Sequence, residues 1–255
     1  MHTLIGRLAA IAALVLARAV CADAAEVKIY STIGVQTALE ELKPKIEKAL
    51  GHQLTITFAT AAILAKRIEA GEGPDLMILT RQSLDPLVKA GKATTPAGSV
   101  IASSGMSVVV KHGAAKPDIA TPDAFKRALV AARAIAYSDP ASGGASGVYF
   151  AKLLERMGLA DAMQAKTRHP PPSGNSADLV VSGEAELAVQ QTPEVMAVAG
   201  VDVVGPLPAE LNNVTVFAAG IGAGSQNADA AKSVIELLHT PDARAVFKAR
   251  GLDPA

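Results

Sequence analysis

The clearest pattern of apolar and polar positions lies in one stretch of the first third of the chain. Residues 54–58 alternate between apolar side chains and threonine, which predicts a half-buried strand. Three small residues at 60–62 then open a segment in which Leu64 and Ile68 recur at helical spacing, and glycines end it. Residues 75–79 are almost entirely apolar, which is typical of a parallel strand covered on both faces. This stretch is therefore predicted to be a strand–helix–strand unit.

The rest of the chain continues to alternate between strand-like and helix-like patterns. Such alternation predicts an α/β fold with largely parallel sheets and helices on both faces. Further strands are expected at 27–30, 107–111, 134–137, 166–168, 186–190, 201–204 and 214–219, and helices at 35–50, 83–90, 125–132, 148–157, 176–182, 228–238 and 241–249, with a short one from 192.

Three small-residue segments offer backbone N–H groups at predicted helix starts. The turn at 60–62 carries almost no side-chain bulk, so its free N–H groups form a natural seat for an anion. The loop from Ser142 to Ser146 offers successive N–H groups in the same way, and the alternative is a flexible hinge loop. Asn175 and Ser176 open a later helix. They and Thr60 are equally consistent with plain N-caps.

Two predicted strand ends carry polar side chains. Arg81 follows the strand at 75–79, and ligands bind at such ends in open parallel sheets. The alternative is a solvated surface arginine. Gln190 and Gln191 end another strand, and because side chains alternate along a strand, one of the two must face the core and needs a hydrogen-bond partner.

The first 24 residues have the features of a secretory signal peptide. A basic start precedes a short apolar run, and Ala22-Asp23-Ala24 is a suitable cleavage site. We therefore expect a periplasmic protein that starts near Ala25 and carries no lipid on Cys21. Because Cys21 is the single cysteine, the mature chain would have no disulfide, thiolate nucleophile or cysteine–metal site.

Composition narrows the class of ligand. The 255 residues are 50% hydrophobic and have a formal net charge of zero, which suits a packed α/β protein and argues against nucleic-acid binding. Aromatic residues make up only 3% and tryptophan is absent, which argues against stacking platforms for sugars or bases. No phosphate loop, dinucleotide fingerprint or nucleophile elbow is present, and the scattered histidines show no metal spacing. We expect no cofactor and no metal.

Three segments carry a family resemblance. FATAAILAKRIEAGEGPDLMIL at 58–79, SDP…SGVYFAKLLERMG at 138–158 and AVFKARGL at 245–252 resemble periplasmic solute-binding proteins of the molybdate-binding type, and the match covers nearly the whole mature chain. The resemblance implies a two-lobed, type II periplasmic-binding-protein-like fold, a ligand cleft between the lobes, a monomer, and an inner-membrane ABC permease as partner. It implies that 25–104 and 206–255 form the first lobe and 105–205 the second, with hinges near 105–106 and 205–208.

The chain departs from this family at the expected oxyanion site. Gly34 stands where a serine is usual, residues 60–62 replace a serine run, Gln191 replaces a tyrosine, and Arg81 replaces an acidic residue. Fewer hydroxyls and an added guanidinium favour an organic carboxylate over molybdate. The expected ligand-binding residues are Thr32, Gly34, Thr60, Ala61, Arg81, Ser142, Ser146, Asn175, Ser176 and Gln191.

An enzyme built on the same clamp is the alternative. Aconitate isomerase, which moves a proton within a tricarboxylate, is a relative of this family. In that case we expect Arg81 to hold a carboxylate, and His169 or Asp139 to act as the base.

Overall fold

A computed structural model describes residues 25–172 and 174–255. The predicted signal peptide, 1–24, lies outside the described residues. The strands are β1 (Glu26–Thr32), β2 (Gln53–Ala59), β3 (Leu76–Thr80), β4 (Ala93–Thr94), β5 (Val100–Ser104), β6 (Met106–Lys111), β7 (Ile135–Tyr137), β8 (Thr167–Arg168), β9 (Leu187–Gln191), β10 (Val201–Pro206), β11 (Thr215–Gly222) and β12 (Asp253–Pro254). The helices are α1 (Gln36–Leu50), α2 (Ala61–Glu69), α3 (Arg81–Lys89), α4 (Pro122–Ala131), α5 (Ala145–Arg156), α6 (Ala160–Gln164), α7 (Ser176–Ser182), α8 (Thr192–Met196), α9 (Ala228–Leu238) and α10 (Pro241–Ala249), with short 3-10 turns at Ile33–Val35 and Pro140–Ser142.

The fold has two lobes, each built on one sheet. The sheet of lobe 1 has the order β12-β5-β11-β3-β1-β2, with β4 beside β11. The sheet of lobe 2 has the order β10-β6-β9-β7-β8. Helices flank both sheets, so the expected two-lobed α/β fold is confirmed.

The sheets are mixed rather than largely parallel. Strand β1 runs parallel to β2 and β3, and β7 runs parallel to β8 and β9. The late strand β11 instead inserts antiparallel between β3 and β5, and β6 runs antiparallel to β9 and β10. The antiparallel strands β6 and β11 are those with which the chain enters lobe 2 and returns to lobe 1, and both lie inside their sheets. Strand–helix alternation alone does not reveal the direction of such strands.

Each sheet buries a separate core on each face. In β3, Leu76 and Ile78 contact the core under α1 and α9, whereas Met77 and Leu79 contact the one under α2 and α3. All five residues of this strand are buried, as its apolar run predicts. The lobe 2 sheet is covered in the same way on both faces. The two sheets are thus rigid walls whose strand ends can hold a site.

The chain crosses between the lobes at Gly105. Asn212 fastens the crossing, because its Oδ1 accepts a hydrogen bond from the Met106 N–H at 2.8 Å. Thr192 donates its N–H to the Gly105 carbonyl at 3.1 Å. Leu207 is buried in the lobe 2 core, so the chain returns to lobe 1 after this residue. The predicted lobe boundaries at 104/105 and 205/206 stay a prediction.

Most predicted elements are present, with two kinds of difference. Strand β5 and the short elements β4, α6 and β12 are not evident in the sequence pattern. Helix α3 begins at Arg81 instead of residue 83, and α5 begins at Ala145 instead of residue 148. These earlier starts bring more backbone N–H groups to the ends of the strands. No helix within 25–172 or 174–255 is long and apolar enough to cross a membrane.

Candidate functional site

A cleft of about 850 Å³ lies between the two lobes. Its walls are the carboxyl ends of β1, β3 and β9 and the N-terminal turns of α2, α3 and α5. The first N–H groups of a helix have no acceptor within the helix, so three such turns direct positive partial charge at one space. The cleft is therefore suited to an anion.

The structure brings nine of the ten expected ligand-binding residues to this cleft. The tenth, Ser176, is fully buried behind the wall, where its N–H and hydroxyl both donate to the Gln190 carbonyl oxygen Oε1. The nine on the wall are Thr32, Gly34, Thr60, Ala61, Arg81, Ser142, Ser146, Asn175 and Gln191.

The N-terminal turn of α2 meets lobe 2 across the cleft. The Thr60 hydroxyl accepts the Ile63 N–H at 3.3 Å, so the expected N-cap is present, and it also reaches the Ser142 carbonyl at 3.4 Å. A Cβ on Gly143 would stand 3.0 Å from the Ala62 Cβ. The two lobes are therefore in contact, and small residues on both sides permit it.

Two cations face the cleft, one from each lobe. Arg81 is the first residue of α3, and Lys152 lies two turns into α5. Both side chains are exposed, and neither makes a hydrogen bond or a salt bridge to any residue the structure describes. Their charges are available to a ligand. Lys152 is not among the ligand-binding residues expected from the sequence. It lies four residues after Val148, which also lines the cleft, so the two share one face of the helix.

Gly34 lies on the cleft wall, and packing against a neighbouring ring requires glycine at this position. A Cβ here would lie 2.7 Å from the Phe217 ring, which is much closer than van der Waals contact allows. Phe217 occupies the space that a serine side chain would need. A serine hydroxyl is therefore absent at position 34 because β11 packs directly against the 3-10 turn at Ile33–Val35.

Gln191 presents an unused acceptor beside the cleft. The residue is 3% exposed, and its Nε2 donates to the Thr215 hydroxyl at 2.6 Å. Its Oε1 is the one buried side-chain oxygen or nitrogen without a partner in the described part of the chain. A buried amide oxygen without a partner is costly, so this group favours a ligand or water beside it.

Glu194 is the functional group that the sequence pattern does not identify. It lies in the first turn of α8, partly exposed on the cleft wall, and Gln190 donates its amide to the Glu194 Oε2. Burial raises the pKa of Glu194 to about 7, although the hydrogen bond from Gln190 opposes this rise. The signal in the sequence is the acidic residue one helical turn beyond a buried glutamine pair.

The two expected catalytic residues occupy different places. Asp139 lines the cleft, and its Oδ1 accepts the Ala141 N–H at 2.9 Å. His169 is not on the cleft wall, because its Nδ1 pairs with the Tyr137 carbonyl at 2.9 Å and its ring packs edge-on against Tyr137. Within 25–172 and 174–255, no group of three or more His, Cys, Asp and Glu side chains is placed to hold a metal ion.

Comparison with known proteins agrees with this architecture. Residues 27–253 match the family described as bacterial extracellular solute-binding protein. This chain belongs to that family. As a solute-binding protein it is similar to the aconitate isomerase of Pseudomonas sp, with 34% identity over 232 residues that span 89% of this chain and 87% of the relative.

Two molybdate-binding proteins are further relatives of this solute-binding protein. The molybdate-binding protein ModA of Escherichia coli (strain K12) is 24% identical over 232 residues, which span 90% of each chain. The periplasmic molybdate-binding protein of Azotobacter vinelandii has a solved structure that superposes with a TM-score of 0.70 at 22% identity, covering 89% of this chain and 98% of that one. The likeness to that structure shows the two-lobed fold alone.

Proposed function

We propose that this solute-binding protein is periplasmic, captures a small organic anion with two or more carboxylates, and delivers it to an ABC permease of the inner membrane. Its membership of the bacterial extracellular solute-binding proteins supports the binding role. The ligand class comes from the residues that line the cleft.

This proposal depends on Arg81 and Lys152, the two cations on the cleft wall that make no ion pair with the described residues. Arg81 offers a planar guanidinium that matches a carboxylate in a two-pronged hydrogen bond, and Lys152 offers a point charge from the other lobe. A ligand with carboxylates at two ends engages both cations and so draws the lobes together.

A bare tetrahedral oxyanion fits the cleft less well. Residues 34, 61 and 62 supply no hydroxyl, and the Thr60 hydroxyl already takes part in an N-cap. The volume of about 850 Å³ falls within the range of roughly 300–1,000 Å³ that is usual for ligands of many atoms. Both features favour a ligand larger than molybdate.

The relative of 34% identity gives independent support. That protein is named for aconitate, which is a tricarboxylate. The molybdate-binding relative is less similar, at 24% identity over the same length.

A ligand screen tests the proposal. Thermal unfolding would be followed with cis-aconitate, trans-aconitate, citrate, acetate, sulfate and molybdate, each at equal ionic strength. A bound ligand raises the unfolding free energy by about 2.7 kcal/mol at a hundred times its Kd. We expect the tricarboxylates to raise the Tm and acetate to have little effect. A Tm raised by molybdate or sulfate alone would return the site to the oxyanion class.

A second candidate function is isomerisation of a tricarboxylate in the same cleft. The observation that favours it is the carboxyl of Glu194 on the cleft wall, whose pKa is raised to about 7 by burial. Incubation of the purified protein with cis-aconitate, followed by chromatography for trans-aconitate, tests it. Binding without interconversion would leave the transport role alone.

A further inference from the structure

The Glu194 carboxyl is held in one orientation by buried neighbours. Gln190 is 3% exposed, and its Oε1 accepts both donors of Ser176, the N–H at 2.8 Å and the hydroxyl. An N–H can only donate, so the Gln190 amide must direct its Nε2 away from Ser176 and toward the Glu194 Oε2. Asn175 also donates its amide to the Glu194 carbonyl at 2.6 Å, which fixes the start of α8.

The other carboxyl oxygen of Glu194 is free for a ligand. Its Oε1 accepts no hydrogen bond from the described residues and lies 3.7 Å from where a Cβ on Gly34 would stand. Because Gly34 has no side chain, position 34 leaves that oxygen uncovered. One oxygen is thus anchored and the other faces the cleft, which is the geometry of a positioned acid–base group.

No charged side chain next to Glu194 is placed to act as the acid–base group instead of it. Strands β6, β9 and β10 and the 3-10 turn at Ile33–Val35 pack most closely against α8, and Asn175 and Gly251 also contact it. The 3-10 turn at Ile33–Val35 and strand β9 carry no titratable side chain. The charged residues of the other two strands, Lys111 on β6 and Asp202 on β10, lie at the strand ends far from Glu194. The remaining charged groups of the cleft wall are Arg81, Asp85, Asp139 and Lys152, which lie on other elements.

We propose that Glu194 is the group that removes and returns a proton on a carbon of the bound ligand, and that the ligand is an unsaturated polycarboxylate with a methylene group next to its double bond. This rests on the carboxylate-binding function proposed above, and the ligand class follows the relative of 34% identity that is named for aconitate. The ionised Glu194 takes one methylene proton. The C–H electron pair moves into an allylic anion that the neighbouring carboxylates stabilise. The same carboxyl then returns the proton to the far carbon, so the double bond moves and no oxidant is needed.

Proton exchange with solvent tests the residue directly. The wild-type chain and Glu194→Gln would be incubated with cis-aconitate in D2O, and the methylene signal followed by proton NMR, with calorimetry on the same samples for binding. We expect the wild type to exchange the methylene protons. We expect Glu194→Gln to lose at least about a hundredfold in rate, which is the usual contribution of a general base, while its Kd changes by less than tenfold. Glu194→Asp, which withdraws the carboxyl by one methylene, should retain binding and exchange slowly.

Controls separate the possible failures. Glu155→Gln removes an exposed carboxyl at the far end of α5 and should leave exchange unchanged. Exchange that persists in Glu194→Gln but stops in Asp139→Asn would assign the proton transfer to Asp139 and overturn the proposal. Wild-type binding with neither exchange nor conversion to trans-aconitate would overturn it too, yet leave the carboxylate-binding function intact. Absence of aconitate binding to the wild type, while citrate still binds, would overturn this proposal alone. Absence of binding of every polycarboxylate in the screen would overturn both.

Discussion

Arg81 is the residue on which the proposed ligand class depends most. Its position after a buried strand indicates a ligand role, and the structure places it on the cleft wall. A surface arginine would more often meet an acidic partner or point into bulk solvent. Its guanidinium has no partner among the described residues, so removal of this side chain leaves no other group unpaired and reports on the ligand alone.

We predict that Arg81→Ala weakens tricarboxylate binding by one to two orders of magnitude. Charge-assisted hydrogen bonds of this kind contribute about 1.5–3 kcal/mol, at about 1.4 kcal/mol per tenfold in Kd. Arg81→Lys should recover only part, because an ammonium lacks the planar fork. Isothermal calorimetry with trans-aconitate measures both. Arg127→Ala, which removes an exposed arginine on α4 outside the cleft, is the matched control. Equal affinities for all four chains would exclude Arg81 from the site.

The sequence reveals some of the cleft residues and not others for a geometric reason. Thr60, Arg81 and Ser142 follow strand ends or open helices, so their place is fixed by the backbone. Glu194 and Lys152 lie inside helices, and whether such a side chain reaches the cleft depends on the rotation of the helix and on a rotamer.

The hydrogen-bond partner that the sequence predicts for one of the two glutamines, Gln190 or Gln191, is present. Gln190 has three such contacts, with Ser176 and Glu194, whereas Gln191 has one.

Glu194 should make the stability of the ligand-free protein depend on pH. Because its pKa is raised from 4.5 to about 7, the folded state holds the proton more tightly than the unfolded state. The resulting stabilisation is complete below pH 4.5 and is lost as the pH rises through 7. Between pH 5 and pH 8 the loss is on the order of 2–3 kcal/mol.

Glu194→Gln is neutral at every pH and should not show this loss. We predict that its Tm relative to wild type rises by roughly 5–10 °C between pH 5 and pH 8, at about 2–4 °C per kcal/mol for a chain of this size. Differential scanning calorimetry at both pH values measures it, with Glu155→Gln as a control of the same charge change. A constant Tm difference between Glu194→Gln and wild type would show that Glu194 ionises normally.

At the scale of elements, helix α5 is seated unusually close to the strand before it. A Cβ on Gly147 would stand 2.2 Å from the Ser138 carbonyl oxygen, so only glycine permits this backbone-to-backbone contact. Gly144, the N-cap of the same helix, has a φ of −68° and its nearest neighbour to a new Cβ is 3.8 Å away. The two glycines therefore differ sharply in what they tolerate.

We predict that Gly147→Ala destabilises the protein by about 1–3 kcal/mol, the usual cost of overpacking, because the helix must move off the strand. Urea unfolding at neutral pH measures the change in unfolding free energy. Gly144→Ala is the matched control and should change it by less than about 0.5 kcal/mol. If both substitutions prove neutral, the close seating of α5 is not needed for the fold.

Elements that local patterns fail to predict are those that neighbours create. Strand β5 contains Ser103 and Ser104, which indicate a turn when read alone, yet it is a strand because it pairs with β11 and β12. Helix α6 has only five residues and no side-chain cap. In contrast β3, with five buried residues, and α9, with a regular apolar face, are evident from the sequence because burial fixes their patterns.

At the scale of the molecule, lobe 1 is joined from two distant parts of the chain. Strand β11 fills the gap between β3 and β5, and Asp75 fastens the join. This residue accepts the Ser225 hydroxyl at 2.6 Å and the Lys28 N–H at 2.8 Å, and it also contacts Asn227. Burial alone would raise the pKa of Asp75, but these hydrogen bonds hold it below its usual value. The family resemblance predicts such a discontinuous lobe, whereas no local sequence pattern does.

The contact between Ala62 and Gly143 provides a test of whether the two lobes gate the cleft. In a chain that begins at Ala25, cysteines at these positions would have no competitor, because Cys21 is the single natural cysteine. A disulfide needs Cβ atoms roughly 3.5–4.5 Å apart, so the 3.0 Å approach requires a shift of about half an ångström. Cysteine at position 143 also adopts a left-handed φ of 73°, which costs about 1–2 kcal/mol.

We predict that oxidation of the Ala62→Cys, Gly143→Cys chain locks the lobes together. Ligand present during oxidation should stay bound through desalting, and ligand added afterwards should fail to enter, because the lobes can no longer separate. A reductant should reverse both effects, and each single-cysteine chain should still release and take up ligand with or without oxidant. The measurement is retained trans-aconitate by NMR, with disulfide formation confirmed by intact mass. Free exchange in a chain shown to be cross-linked would mean that the ligand reaches the cleft without lobe opening.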